Sequence, residues 1–170
     1  MADMTAAGAL NDVEAAKLAV TVEKVGYAFY TQAGQSCESR QAARTFRSLA
    51  QQEDVHRGRF EALAASLLTK HRDHWNDPAA EAYIRALIDT GIFPDVETAH
   101  ALARVLETDE DALRLALKVE KDSVLFYTAA AGAATSPDTA SAFSTIAEEE
   151  KTHVVTIQSQ LGKLTAKQPQ

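Results

Sequence analysis

The chain has 170 residues, of which 46% are hydrophobic, enough to build one domain with a core of its own and too many for a disordered chain. The formal net charge of -7 argues against nucleic acid or an anionic membrane as a partner. One cysteine, Cys37, excludes an internal disulfide and a four-thiolate metal or iron–sulfur site within the chain.

The opening residues, MADMTAAGALND, have neither a basic n-region nor an apolar h-region, and no apolar run reaches membrane-spanning length. A cytoplasmic protein without membrane contact is therefore expected. Glycine and proline are few while alanine and leucine abound, which favours an all-α fold. The first helix is predicted from Asp12 to Ala33, stopping at Gly34, and the second from about Ser39 to Thr69. The short loop between them makes residues 12–69 an antiparallel hairpin. Residues 70–108 form a long crossover with two shorter helical patterns, AAEAYIRALIDTG and VETAHALARVLE. The third long helix runs from Asp109 to Ala131 and stops at Gly132. The fourth opens at SPDT, with Ser136 as cap and Pro137 in the first helical position, and runs to Leu164, so that 109–164 is a second hairpin. The expected architecture is one four-helix bundle over residues 1–170, with one partly helical crossover.

The two hairpins repeat each other. VEKVGYAFYTQA, from Val22, matches VEKDSVLFYTAA, from Val119, and FRSLAQQEDVH, from Phe46, matches FSTIAEEEKTH, from Phe143, both at an offset of 97. The shift pairs Glu23 with Glu120, Tyr30 with Tyr127, Glu53 with Glu150 and His56 with His153. Apolar residues at alternating steps of three and four trace one seam along each helix, and near its middle each seam carries a glutamate. On the second and fourth helices a histidine follows three residues later, on the same face.

Four unpaired carboxylates in a core cost several kcal/mol each or take up protons, and no Lys or Arg lies on the seams to neutralise them. Two divalent cations do neutralise them. One Glu from each of two helices plus Glu-x-x-His from each of the other two is the ligand plan of di-iron and di-manganese bundles. Glu23 and Glu120 supply the first part; Glu53 with His56 and Glu150 with His153 supply the second. Carboxylate-rich ligation with one imidazole per metal suits iron or manganese better than structural zinc, although manganese or zinc can substitute for iron.

The motifs VEKVGYAFY, LAQQEDVH, VEKDSVLFY and IAEEEKTH resemble the ferritin-like superfamily, specifically its rubrerythrin-type diiron domain, over both hairpins. The resemblance implies two bound irons. It implies Glu53 and Glu150 as bridging carboxylates, Glu23 and His56 completing one metal, and Glu120 and His153 the other. Tyr30 and Tyr127 match the tyrosines that support the ligands. It implies an oxidoreductase acting on peroxide or O2. Without the four cysteines of a rubredoxin domain, electrons are expected from an external donor protein. Ser123 stands where rubrerythrins carry an additional carboxylate, which leaves the simpler symmetric ligand set.

Three functions remain open on these grounds: a peroxide- or O2-reducing enzyme, a ferroxidase or iron-storage protein, and a binding protein that uses metal only for stability. A homodimer is expected. Tyr27 is expected to pack, His71 and His74 to occupy a solvated helix end, His100 to be structural and Cys37 to be unreactive. Trp75 and the GIFP stretch, Gly91 to Pro94, are expected to cover the bundle or meet another subunit.

Overall fold

Each long helix begins where the sequence supplies an oxygen for its unpaired N–H groups. In the computed structural model, which describes residues 10–70 and 95–166, five helices and no strand occur among the described residues: α1 Asp12–Ser36, α2 Arg40–Lys70, α3 Val96–Val105, α4 Asp109–Ala133 and α5 Pro137–Thr165. Asn11 and Glu14 form a reciprocal capping box at α1, the Asn11 Oδ1 accepting from Glu14 N at 3.0 Å and the Glu14 Oε2 from Asn11 N at 2.8 Å. Thr108 caps α4 through Asp111 N at 3.1 Å, and Ser136 caps α5 through Thr139 N at 3.1 Å, with Pro137 behind it as expected. The expected helix in AAEAYIRALIDTG, His71, His74, Trp75 and residues 91–94 lie outside the described residues.

Two helix ends differ from expectation. Gly34 does not stop α1, which runs on to Ser36 with Cys37 as its cap, and Gly132 lies inside α4. A single glycine weakens a helix by only about 1 kcal/mol, which tertiary packing overrides. Gly34 is buried where α2 passes close by; a Cβ there would meet the Phe46 Cβ at 3.4 Å.

The helices pair as α1 with α2 and α4 with α5; α2 also packs on α5, and α3 lies on α1 through the buried Ala99 and Ala103. The offset of 97 carries through to the packing. One apolar cluster holds Tyr30, Phe46, Leu49, Ala112, Ala116 and Ile157; a second holds their repeat partners Tyr127, Phe143, Ile146, Ala15, Ala19 and Phe60. Each cluster therefore draws on both hairpins, and neither hairpin completes a core alone.

A pair of aspartates ties the hairpins together. Asp12, at the start of α1, accepts from Thr135 N at 2.8 Å and Ser136 N at 3.0 Å in the α4–α5 loop. Its repeat partner Asp109, at the start of α4, accepts from Glu38 N at 3.0 Å and Ser39 N at 2.8 Å in the α1–α2 loop. Burial pushes the Asp12 carboxyl up, but the hydrogen bonds from Thr135, Thr139 and Ser136 outweigh it and hold the group below its ordinary range. No helix among the described residues is long and apolar enough to cross a membrane.

Candidate metal centre

Between the two apolar clusters the seams turn polar. Glu23 on α1, Glu53 and His56 on α2, Glu120 on α4, and Glu150 and His153 on α5 are all buried. They converge in two groups, Glu23–Glu53–His56–Glu150 and Glu53–Glu120–Glu150–His153, in each of which every residue offers a donor atom within 4.8 Å of the others. Glu53 and Glu150 belong to both groups. All six residues singled out by the seam pattern thus meet at one place.

The contacts are those of lone pairs facing a shared point. His56 Nδ1 lies 2.9 Å from Glu150 Oε1 and 3.8 Å from Glu23 Oε2. His153 Nδ1 lies 2.7 Å from Glu150 Oε2 and 3.3 Å from both Glu53 Oε1 and Glu120 Oε2. Despite these short distances, Glu23 Oε2, Glu53 Oε1, His56 Nδ1 and both oxygens of Glu150 make no hydrogen bond of acceptable geometry. Buried polar atoms are nearly always satisfied, so five orphans converging on one spot fit cations there. The donor set fits a pair of divalent ions, with four carboxylates against their charge and one imidazole for each.

Without cations the cluster must hold protons. Burial pushes Glu53 well up, and the charges of Glu23 and Glu150 add to it. Burial also raises Glu23 against the hydrogen bonds that favour its ionised form, and raises Glu120 to about 8. Burial works against the charged imidazole of His153, but the nearby carboxylates of Glu120, Glu150 and Glu53 outweigh it and push the ring up to about 12. His56 rises for the same kind of reason, through Glu150. Glu150 is buried, but both imidazoles lie close against its carboxylate, and their positive charge holds it low.

Tyr30 and Tyr127 reach across the bundle. Tyr127 donates to Glu23 Oε1 at 2.5 Å, and Tyr30 donates to Glu120 Oε1. Each tyrosine holds the glutamate of the other hairpin, and burial raises both phenols well above their ordinary range, so they stay protonated donors. Tyr27, expected to pack, is instead 44% exposed. The inward stripe on α1 runs through Glu23, Gly26 and Tyr30, which turns position 27 outward. Cys37 is partly buried, and burial together with the Asp109 charge pushes its thiol up to about 12, consistent with an unreactive group.

Three residues at the site were not singled out from the sequence. Gly26 lies against Glu53: a Cβ there would meet Glu53 Oε2 at 3.3 Å. Glu149 Oε2 accepts from His56 Nε2 at 2.8 Å, and Gln52 Oε1 accepts from His153 Nε2 at 3.0 Å. The repeat offers the one available signal, since the offset of 97 pairs Gln52 with Glu149, each next to a seam glutamate. Their targets lie on the opposite hairpin, which no single-helix pattern reveals.

A family model described as Rubrerythrin matches residues 6–90 and 111–168. No curated protein and no solved structure matches the chain.

Proposed function

The chain belongs to the rubrerythrin family, with an all-α ferritin-like bundle, and from that premise we propose that it is a non-haem diiron carboxylate oxidoreductase that reduces peroxide or O2 with electrons from a separate donor protein. The observation that carries this reading is the cluster of orphaned buried donor atoms on three carboxylates and an imidazole, with no Lys or Arg among the residues that converge there. When bound, a ferrous pair supplies the two electrons that convert peroxide and two protons to water. Everything else in the reaction falls to the residues of the chain. Glu53 and Glu150, shared by both donor groups, hold the two halves together. His56 and His153 would hold the metals through Nδ1, the nitrogen that faces the carboxylates, which requires each ring to lose its proton there and keep the Nε2–H that Glu149 and Gln52 accept. The tyrosine hydroxyls keep Glu23 and Glu120 turned inward. The surrounding apolar clusters exclude water from the centre.

The proposal includes two irons per chain, a homodimer and a cytoplasmic setting. Metal analysis of purified protein should give close to two irons, and Glu53→Ala or Glu150→Ala should lose them. An unchanged iron content in both variants rejects the ligand assignment. Ferrous protein mixed anaerobically with peroxide, and separately with O2, should develop ferric absorption and consume oxidant. If neither oxidant is consumed, the centre serves stability alone. Light scattering that gives a large hollow shell instead of a dimer favours storage.

A further inference from the structure

The six converging residues and the two tyrosines are all matched by the repeat, type for type, but the groups behind the histidines are not. His56 Nε2 meets a carboxylate, Glu149 Oε2, at 2.8 Å. His153 Nε2 meets an amide oxygen, Gln52 Oε1, at 3.0 Å. The amide orientation is fixed locally, because the Gln52 Nε2 donates to the Ser48 carbonyl at 3.2 Å and to Ser48 Oγ at 3.4 Å, leaving only the oxygen for the ring. The carboxylate is fixed as well: Glu149 Oε1 accepts from Arg59 NH1 at 2.7 Å. The repeat partner of Arg59 is Thr156, which donates to the Thr152 carbonyl instead.

A ring N–H that donates to a carboxylate makes the opposite nitrogen a stronger donor than one that donates to a neutral amide. Arg59 does not cancel the difference. Its guanidinium binds the other carboxylate oxygen, Glu149 Oε1, and is 48% exposed, so solvent screens it more than the charge in direct contact with the imidazole. We propose that Glu149 makes the Glu23–His56 half of the centre the tighter metal site, so that the two halves fill in sequence, the His56 half before the His153 half. This rests on the reading of the cluster as a two-metal centre.

The test is Co2+ binding at fixed pH to the full chain and to three variants, followed by its visible absorption under competition with a chelator. Wild type should take up two ions in two steps separated about ten-fold to a hundred-fold. Glu149→Gln should weaken the first step and bring the two together. Gln52→Glu should strengthen the second step towards the first. Arg59→Ala, which keeps the carboxylate, should leave the first step at least as tight as in wild type. A wild type that binds two ions with equal affinity, or steps that Glu149→Gln and Gln52→Glu leave unmoved, overturns this inference while the two-metal reading stands. An Arg59→Ala loss as large as that of Glu149→Gln also overturns it, because the ion pair and not the charge on the ring would then set the affinity. A wild type that binds no Co2+ overturns both readings.

Discussion

Tyr127 and Tyr30 show how much one hydroxyl contributes when its partner is buried. Removing the hydroxyl from Tyr127 leaves the buried Glu23 Oε1 without its donor. Tyr127→Phe should cost about 1–3 kcal/mol in the metal-free protein. It should also weaken metal binding about ten-fold or more, because the carboxylate is no longer aimed. Chemical denaturation and metal titration of the same preparation check both, and unchanged metal affinity would show that the hydroxyl merely fills space. Ser123 is buried one turn beyond Glu120, at the position paired with Gly26 by the repeat. Ser123→Glu adds a fifth carboxylate where four already need protons or cations. The metal-free variant should melt at a lower temperature than wild type. With iron matched, it should consume peroxide faster relative to O2, since the extra charge helps to balance the oxidised metals. Parallel melting curves and oxidant-consumption rates decide this.

Between helices, the close approaches matter more than the helix signals. Gly26 and Gly34 both sit inside α1, yet a methyl group meets different neighbours at each. At Gly34 the contacts with α2 begin at 3.4 Å, ordinary packing distance, so Gly34→Ala should stabilise the protein by about 0.5–1 kcal/mol through helix propensity. At Gly26 the new carbon lies 3.3 Å from Glu53 Oε2, so Gly26→Ala must displace a carboxylate shared by both halves. Gly26→Ala should retain its helical circular dichroism while metal affinity falls, and a paired measurement on the two alanine variants separates the effects. The aspartate clamps act at the same scale. Asp12→Ala leaves Thr135 N and Ser136 N without their acceptor and should destabilise the bundle by about 1–3 kcal/mol, with Asp109→Ala similar, as read from denaturation midpoints.

Taken as a whole, the metal-free molecule stores protons in its core, and this sets how its stability responds to pH. Glu120 is raised from an ordinary 4.5 to about 8, so the folded state holds a proton that the unfolded chain releases between those values. His153 is raised from 6.5 to about 12 and behaves alike over that higher range. In both cases the folded state binds more protons, so stability is greatest below the unfolded value and falls as pH rises towards the folded one. Glu150 has the opposite shift, and its contribution is complete above an ordinary carboxyl value and lost only in acid. Metal-free protein should therefore melt at progressively lower temperature from about pH 5 to about pH 8. Metal displaces those protons and binds more tightly as pH rises, so the gain in melting temperature on adding metal should grow over the same interval. Calorimetry across that interval, with and without metal, checks the sign; a gain that shrinks with rising pH would contradict it.

The fold class, the two hairpins and the six converging residues were legible because a repeat and a helical period both act along the chain. Glu53 and His56 share a face by virtue of 3.6 residues per turn, and the offset of 97 identifies their partners without any knowledge of packing. Caps at Ser136 and Pro137 were legible for the same reason, since their partners lie within four residues. The extent of α1 past Gly34 was not, because tertiary contact with α2 outweighs the local cost of a glycine. The outward turn of Tyr27 depends on which stripe faces α2, a choice that a step of three or four leaves ambiguous. Only the tertiary structure decided which oxygen faces each ring nitrogen: Tyr127 to Glu23, Glu149 to His56 and Gln52 to His153 all join residues about a hundred positions apart. A pattern read along one helix reports which residues share a face; whether two faces meet, and through which atoms, is fixed by how the hairpins dock, which Asp12 and Asp109 hold in place.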